Sequence, residues 1–499
     1  MMKYILRILL LSLCMSTVCK AQVNGQIPTY RSLDDLSDKK VATMTGCFQE
    51  ALLEKYYPEM TVMRIDNASD LIQALLTRRC EAVVLDDYFF YYFSEHTNEI
   101  ELLEEPLATA KMGFCFNKDN NLELRDQFNV FLKQIKKDGT YDEIYERWIH
   151  NGHNSVMPDI QLPTEGEPIR IATSSATPPL VFYKDGKMIG FDVEIATRFA
   201  AYLGRPIAWS DMNFSGVIPA LSSGKQDIAI AGIGITPERQ KAVEFSDPYF
   251  ISQSLIAIRK ENSANQMADV DNANKNNIFI TIINSFRRNI IEEDRYMMIL
   301  DGLKTTTIIS LFSCLLGTIL GALICWMRMD RRKALYRTAS VYISLLRGTP
   351  ILVLLMIMFY VVFAGTSIDA VTVSIITFGL NFAAYVSEMF RTSIESVDKG
   401  QTEAGIALGF TPTQTFCNIV MPQAFKHVLP IYKGEVISLV KMTSIVGYIA
   451  VQDLTKVGDI IRSRTFDAFF PLIMVAVLYF ILSWIFAKAI DLIGKKACR

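Results

Sequence analysis

The pattern of apolar and polar residues divides the chain into two unlike halves. Residues 167–260 alternate short apolar runs with amphipathic stretches, which is typical of an α/β fold. After about residue 298 the apolar runs become as long as a helix needs to cross a bilayer. We therefore expect a water-soluble α/β part followed by an all-α membrane part of five spans, near 306–327, 341–364, 370–390, 429–451 and 468–490.

Basic residues give the membrane part a direction. They crowd the link after the first run, at 328–337, and the tail at 495–499. The positive-inside tendency places both segments in the cytoplasm. With five crossings the first half then lies outside, and the polar segment 391–426 lies inside.

The first 21 residues are typical of a secretory signal. Lys3 precedes an apolar run over 5–18, and Cys19-Lys20-Ala21 leads into a polar stretch. An uncleaved anchor is the alternative. Both interpretations place the segment that follows outside the cytoplasm.

Charge and cysteine content exclude some partners. The formal net charge of -2 offers no dominant basic surface, which argues against a nucleic-acid partner. Cys47, Cys80 and Cys115 lie outside the signal and the apolar half, and their spacing predicts no metal site. We expect no cofactor.

A helical hairpin is predicted at about 400–427. The sequence Glu403-Ala404-Gly405-Ile406-Ala407-Leu408-Gly409 is followed, after nine residues, by Ile419-Val420-Met421-Pro422. Gly409 breaks the first helix, and Thr411-Pro412 opens the second. The stretch resembles the cytoplasmic loop of permease subunits of ATP-binding-cassette (ABC) importers, which reads Glu-Ala-Ala, three residues, Gly, nine residues, Ile-x-Leu-Pro. Gly405 and Met421 depart from that pattern.

The resemblance implies that this loop docks on an ATPase. The matching positions are Glu403, Ala404, Gly409, Ile419 and Pro422. No Gly-x4-Gly-Lys-Ser/Thr motif occurs in the chain, so the ATPase is expected on a separate subunit, in two copies, and the chain itself is not expected to be an enzyme. The permease is expected to form a homodimer or to pair with a homologous permease.

Three further motifs resemble the polar-amino-acid branch of these permeases. They are Leu346-Arg347-Gly348-Thr349-Pro350, the run from Ala384 to Arg391, and Leu439-Val440-Lys441-Met442-Thr443-Ser444, in which Met442 departs from the usual Asp. The resemblance implies a multi-pass permease domain over 298–495 in a bacterial inner membrane. Residues 261–297 would then be a linker and juxtamembrane segment.

Residues 167–260 carry a predicted carboxylate site. A buried strand ends at Gly232 and Gly234, and Arg239 follows at the start of a helix. Arginine grips a carboxylate with two parallel hydrogen bonds, and a helix start adds N–H donors. The stretch resembles lobe one of periplasmic polar-amino-acid binding proteins. The resemblance implies that Arg239 clamps the α-carboxylate and that Phe214 packs on the ligand, while Thr177 stands where the family usually has an aromatic residue.

Residues 22–150 resemble lobe two of the same proteins. The resemblance rests on Leu33-Asp34-Asp35-Leu36 and on the stretch from Lys137 to Trp148, and it implies that Asp86, at a strand end, accepts from the α-amino group. Asp87 is an alternative for that role. At the turn 43–50, Cys47 and Phe48 replace the hydroxyl residues of the family, so the ligand need not be the family's usual one.

The lobes stand in reversed order, with a link at 151–166 between them. We therefore predict a circularly permuted two-lobed module in front of the permease, and expect the chain to leave it at Lys260, between the lobes. The combination predicts an importer subunit that binds and translocates an amino acid. A ligand-gated channel or sensor is the alternative, and a module whose lobes no longer form a working site is a third possibility.

Overall fold

The computed structural model describes most of the chain. It covers residue 30 and residues 34–94, 99–103, 106–150, 155–260, 283–364, 366, 368–465, 467 and 469–497. The predicted signal at 1–21 and the stretch 261–282 of the predicted linker lie outside the described residues.

The first half of the chain is built on two β-sheets and a short two-stranded ribbon. Their strands are β1 (Lys40–Met44), β2 (Thr61–Ile65), β3 (Ala82–Asp86), β4 (Ile100–Leu102), β5 (Ala108–Met112), β6 (Cys115–Phe116), β7 (Ile169–Thr173), β8 (Phe182–Lys184), β9 (Lys187–Ile189), β10 (Ile207–Asp211), β11 (Ile228–Ala229), β12 (Glu244–Phe245) and β13 (Phe250–Arg259). Lobe two is built on the order β2-β1-β3-β13-β4, with β5 also on β13, and lobe one on the order β10-β7-β11-β6-β12. In each sheet three parallel strands come from one chain segment.

Helices cover the faces of both sheets. They are α1 (Phe48–Tyr56), α2 (Ala68–Leu76), α3 (Asp87–Ser94), α4 (Leu122–Lys137), α5 (Thr140–Tyr145), α6 (Phe191–Leu203), α7 (Phe214–Ser222) and α8 (Pro237–Ala242). Strands covered on both faces are mainly apolar, and four of the five residues of β3 are buried. Its residues from Ala82 to Leu85 therefore form a continuous apolar run.

The lobes exchange strands, and this corrects the predicted boundary at residue 150. The chain leaves lobe two between Met112 and Cys115, where β6 joins β11 and β12 of lobe one, and β13 returns to pair with β3. The segment after β6 stays with lobe one because the apolar face of α4 packs on α6. Its Phe128 and Phe131 lie 5.1 and 5.4 Å from the ring of Phe199.

The end of β13 corrects a second expectation. Ser254 pairs with Asp86 at the cleft end of β3, whereas Ile258 pairs with Ala82 at the opposite end. The chain therefore leaves the module at the far end of lobe two and not between the lobes. Tyr30 and Leu36 pack in the same apolar cluster as Ile258, so the start of the module lies beside its exit.

The second half is helical. Its helices are α9 (Arg295–Met329), α10 (Lys333–Gly348), α11 (Ile351–Ile357), α12 (Ala370–Glu395), α13 (Lys399–Ala407), α14 (Pro412–Thr415), α15 (Met421–Met442), α16 (Leu454–Thr465) and α17 (Phe470–Ala497). Among the described residues three helices are long and apolar enough to cross a membrane, at 283–329, 370–395 and 470–494. The count reaches five if each of two bent helix pairs forms one span, so five crossings stay a prediction.

One bent pair replaces the continuous helix expected at 341–364. The axes of α10 and of the helix that opens with α11 differ by 107°. Thr349 lies between them in an extended conformation, and the ring of Pro350 disfavours helical backbone at the residue before it. The Gly-Thr-Pro motif thus makes the bend.

Glycines bring α9 and α12 into close contact. A Cβ atom on Gly317 would lie 2.7 Å from the carbonyl oxygen of Gly379, too close for any side chain. Small residues at such contacts are typical of helices packed in membranes. These two helices make the most extensive helix–helix contact among the described residues.

The α/β module lies against one end of the bundle. Gly302 of α9 is packed on Asp453, which belongs to the end that touches the module. Arg328 lies 26 residues further along α9, roughly 40 Å away at 1.5 Å per residue. The basic link and the module therefore occupy opposite ends of the helices.

Candidate functional site

A single cavity between the lobes is lined by every residue predicted to contact a ligand. They are Cys47, Phe48, Asp86, Thr177, Phe214, Gly232, Gly234 and Arg239. The carboxyl end of β3 supplies Asp86 from lobe two, and the stretch after β11 supplies the glycines and Arg239 from lobe one. The structure thus brings a cationic and an anionic side chain from different lobes into one cleft.

Arg239 lies in the first turn of α8, where Thr236 caps the helix. The Thr236 hydroxyl accepts from the Arg239 backbone N–H at 3.2 Å. The guanidinium donates from Nη1 to the carbonyl of Gly234 and from Nη2 to the carbonyl of Gly46, each at 2.7 Å. Burial lowers the pKa of Arg239, although a guanidinium keeps its proton at any ordinary pH. Since Gly46 belongs to lobe two, Arg239 joins the lobes.

Gly232 occupies a position that only glycine fits. Its φ is +61°, and an added Cβ would lie 2.6 Å from a methyl of Leu180 and 2.9 Å from the Tyr88 hydroxyl. Its N–H donates to Asp192 at 3.0 Å, and the hydroxyl of Tyr249 donates to the other oxygen of that carboxylate at 2.6 Å. Burial raises the pKa of Asp192 to about 7. The buried carboxyl fixes the strand end on which the cleft is built.

Asp86 is held by three donors. Its Oδ1 accepts from Gln49 Nε2 at 2.8 Å and from the Ser252 hydroxyl at 2.9 Å, and Oδ2 accepts from the Tyr88 hydroxyl at 3.3 Å. Burial, the largest effect, raises the pKa of Asp86 to about 6 despite these donors. Asp87, the alternative, accepts from Ser252 at 2.7 Å but is not among the residues that line the cavity.

Cys47 and Phe48 begin helix α1 at the lobe two wall. The Cys47 sulfur accepts from the Glu50 backbone N–H at 3.4 Å and lies 3.2 Å from the Thr43 hydroxyl. Burial raises the pKa of the Cys47 thiol and so favours its neutral form. The Cβ of Phe48 lies 3.5 Å from where a side chain on Gly234 would begin. Phe48 therefore closes the cleft directly over the glycines.

Thr177 and Phe214 complete the lobe one wall. The Thr177 hydroxyl donates to the Ser174 carbonyl at 2.8 Å, so its polar atom is used within the backbone. The Phe214 ring centre lies 5.8 Å from the Arg239 guanidinium carbon, within cation–π range.

The sequence reasoning missed other residues of the wall. They are Met44, Gln49, Tyr88, Phe89, Ala110, Ala231 and Met112. Gln49 stands two residues after Cys47, in a turn that the sequence had already singled out, so its position was a usable signal. Ala110 and Met112 lie on the crossing strand β5 and left no local signal.

The cleft is closed. Its volume is about 20 Å³, room for about one water molecule. An amino acid is larger than a water molecule, so the cleft does not hold one in this conformation. Separation of the lobes to admit a ligand would break the hydrogen bond from Arg239 to Gly46.

The predicted helical hairpin is present at the other end of the bundle. Glu403, Ala404, Gly409 and Pro422 are exposed, and Ile419 is half-buried between the two helices. Gly409 has a φ of +89°, and Thr411 and Gln414 form a reciprocal capping box. A π-helical turn, Phe416–Val420, carries α14 into α15.

Gly405 explains one departure from the loop pattern. A Cβ there would lie 2.6 Å from the Thr415 methyl and 2.9 Å from the end of Ile419. Thr415 is β-branched and cannot turn its methyl away freely. The hairpin is thus closed more tightly than an alanine at this position would allow.

Two protein families match the two halves of the chain. Residues 35–151 and 169–303 match bacterial extracellular solute-binding proteins, family 3. Residues 313–496 match the binding-protein-dependent transport system inner membrane component.

Individual relatives cover the second half. The probable amino-acid ABC transporter permease protein YckA of Bacillus subtilis (strain 168) is 35% identical over 204 residues, 41% of this chain and 90% of YckA. The putative glutamine transport system permease protein GlnP of Rickettsia felis (strain ATCC VR-1525 / URRWXCal2) is 32% identical over 40% of this chain and 94% of GlnP. A crystal structure of an amino acid ABC transporter with histidines is 34% identical over 40% of this chain and 94% of its own, with a TM-score of 0.38.

Proposed function

Since this chain belongs to the inner-membrane permease family of binding-protein-dependent transport systems and carries a family 3 solute-binding module, we propose that it captures an amino acid in its own cleft and passes it to its own spans. It is a subunit of an amino-acid ABC importer. The alternative of a ligand-gated channel or sensor finds no support among the reported relatives, which are permeases.

The observation that carries the ligand proposal is the pairing of Arg239 and Asp86 across one cleft. Two N–H groups of Arg239 donate to neutral carbonyl oxygens, which bind a guanidinium less strongly than a carboxylate would. Asp86 is a half-buried carboxylate whose donors are all neutral. A ligand with a carboxylate and an ammonium group on one carbon satisfies both. Gly232, Gly234, Phe214, Thr177, Cys47 and Phe48 would form the rest of the pocket.

A ligand screen tests this proposal. The twenty amino acids are added to the full chain in nanodiscs, and binding is measured by calorimetry. We expect at least one amino acid to bind, and Arg239→Ala to weaken it by a factor of about 100 or more, since truncating one partner of a buried charge pair costs roughly 2–5 kcal/mol. Exposed Lys187, on the β8–β9 ribbon, supplies the control Lys187→Ala. Equal binding by wild type and Arg239→Ala would rule out the clamp.

We also propose that the module lies outside the cytoplasm and that the chain crosses the membrane five times. The basic link at 328–337 and the hairpin lie at the end of the bundle opposite to the module, as the positive-inside tendency requires. Each bent helix pair would then count as one crossing.

The hairpin is the proposed docking site for a separate ATPase. Exposed apolar side chains at Ile406, Leu408 and Phe410, which are 51%, 77% and 40% exposed, stand beside Glu403. An apolar patch rimmed by polar residues is typical of a protein interface. Two ATPase copies and a second permease copy, identical or homologous, would complete the importer.

Uptake measurements test the docking role. In vesicles that contain the complete transporter, Glu403→Ala should abolish ATP-driven uptake and leave ligand affinity unchanged. Unimpaired uptake would count against docking at this residue. Glu395, exposed at the end of α12, provides the control Glu395→Ala.

The circular permutation remains part of the proposal. The start of the module and the end of β13 share the cluster of Leu36 and Ile258, so a chain that ran directly from one to the other would build the same lobe two. Closely spaced ends are what permutation requires.

A further inference from the structure

One short helix of the membrane half contacts both lobes of the module. Helix α16 presents Lys456 in its first turn and Arg462 six residues later, roughly 9 Å along the helix axis. Lys456 reaches Asp211 at the end of β10 in lobe one. Arg462 donates to Asp70 of α2 in lobe two.

The contact with lobe one is buried. Lys456 Nζ lies 3.6 Å from Asp211 Oδ1, and the two side chains are 5% and 2% exposed. The Asp211 carboxylate is also held by the backbone N–H and hydroxyl of Ser175, at 2.9 and 2.7 Å. Breaking such a pair would leave charges buried and unpaired, so it resists separation.

Further contacts fasten lobe one to the bundle. Lys225 donates to the Thr366 carbonyl at 3.0 Å, and Gln452 donates to the Tyr183 hydroxyl. Tyr360 and Ala450 of the membrane half pack against the apolar core of lobe one. Lobe one is therefore docked through several separate segments.

The charged contact of lobe two depends on Arg462. Its guanidinium is shared between two carboxylates, and one of its N–H groups lacks a hydrogen-bond partner among the described residues. Its Nη1 donates to Asp459 at 2.9 Å, one turn back on α16. Its Nε is buried and, among the described residues, has no hydrogen-bond partner. A buried unpaired donor costs free energy that is recovered when water reaches it. The Arg462–Asp70 contact is thus the easier of the two to release.

A polar chamber lies beneath the mouth of the cleft, between these two contacts. Its volume is about 290 Å³. Asp66 comes from lobe two, Ser175 and Asn213 from lobe one, and Tyr448, Lys456 and Arg462 from the membrane half. Separation of the lobes at this mouth changes the distance between the partners of Lys456 and Arg462.

We propose that α16 is a two-point latch that senses the state of the cleft: Lys456 keeps lobe one on the permease, and the Arg462–Asp70 pair holds lobe two until the lobes open. Lobe two is the lobe that swings. The latch rests on the proposed function only in treating the cleft as the site that opens, and it assigns to α16 the step by which the permease registers opening.

Single-molecule energy transfer on the full chain in nanodiscs tests the latch without ligand or ATPase. Dyes on unnatural amino acids at Glu59 of lobe two or Lys187 of lobe one are paired with one at Asn284 of the membrane half, all exposed positions. We expect Asp70→Asn and Arg462→Gln each to add a population of lower transfer efficiency for the Glu59 pair only. The reversed pair Asp70→Lys/Arg462→Glu should restore the single population.

Two results would overturn the latch. One is an unchanged Glu59 distribution in both single variants, and the other is an equal broadening of the Glu59 and Lys187 distributions. The ion pair of Lys133 and Asp247, 3.4 Å apart on the surface of lobe one, supplies the control. Lys133→Gln/Asp247→Asn should leave both distributions as in the wild type. Because no amino acid is present, failure of the latch is distinct from failure of the ligand proposal.

Discussion

The cleft and the helical hairpin at about 400–427 are both small sites, but they are built in opposite ways. The cleft gathers Cys47, Asp86, Met112 and Arg239 from segments far apart in the chain. The hairpin takes all of its residues from one stretch of fewer than 30. The cleft therefore depends on how the lobes are assembled, whereas the hairpin depends on caps and close packing between neighbours in sequence. Substitutions should separate ligand affinity from transport accordingly.

Beyond the Arg239 and Glu403 variants, the largest effect is expected at Asp86. Asp86→Asn removes the negative charge proposed to bind the ligand ammonium and should weaken affinity by a factor of roughly 30 to 150, or about 2–3 kcal/mol. Calorimetry on the full chain measures it. Asp87→Asn is the matched control, since Asp87 shares the Ser252 hydroxyl but does not line the cavity. A greater loss at Asp87 than at Asp86 would reverse the assignment.

A second substitution addresses the hairpin. Gly405→Ala restores the residue of the family pattern but places a Cβ 2.6 Å from the Thr415 methyl, so overpacking should cost about 1–3 kcal/mol. Uptake should fall while ligand affinity stays constant. Thr415→Ala in the same chain removes the methyl and should recover uptake. An undiminished uptake rate in Gly405→Ala alone would show that the two helices of the hairpin move apart to accommodate the added methyl group.

A pH dependence of ligand affinity is expected from the cleft, because the Asp86 carboxyl titrates there. The raised pKa of Asp86, about 6, means that the carboxyl takes up a proton as the pH falls through 6. Binding of an ammonium group requires the ionised form, so affinity should be about tenfold weaker at pH 5 than at pH 8. In Asp86→Asn this dependence should disappear. A wild-type affinity that is constant over this range would remove Asp86 from the ammonium site.

The raised pKa values affect stability in the opposite direction to ligand affinity: they favour the folded state at low pH. Asp86 and Asp192 have pKa values in the folded state, about 6 and 7, above the usual value of an unfolded Asp. The folded state then binds more protons, so their contribution to stability is greatest below about pH 4 and is lost as the pH rises to 7. Thermal unfolding of Asp192→Asn against pH should be flatter than that of the wild type.

The smallest effect is expected at the hairpin cap. Thr411→Ala removes the side-chain oxygen that accepts from the Gln414 N–H and should destabilise the second helix by about 1 kcal/mol. Hydrogen exchange at residues 412–420 should accelerate by about fivefold. Thr413→Ala, exposed in the same turn, is the control, and equal acceleration in both would show that the cap adds nothing.

The sequence was informative where a local pattern carries the structure. Gly232 and Arg239 are predictable because a strand end and a helix start adjoin in sequence, and the hairpin is predictable because Gly409 and Thr411-Pro412 interrupt its helices. Gln49 and Met112 are not identified by such a pattern, because their place depends on the packing of the two lobes. The lobe boundary differs from the predicted one because the apolar face of α4 fits either sheet in sequence. The apolar composition of 341–364 does not reveal the bend, which comes from the backbone restriction that Pro350 imposes on Thr349.

Strand β13 links the cleft to the route by which the chain leaves the module. Ser252 and Ser254 of this strand lie beside Asp86, and Arg259 is its last residue. Neighbours pair with it on both edges. A pull from the membrane on Arg259 along the strand axis would shear all of these hydrogen bonds at once and could not unzip them one after another. The module is thus anchored through a strand that is hydrogen-bonded along both edges, and the same strand supports Asp86 at the cleft.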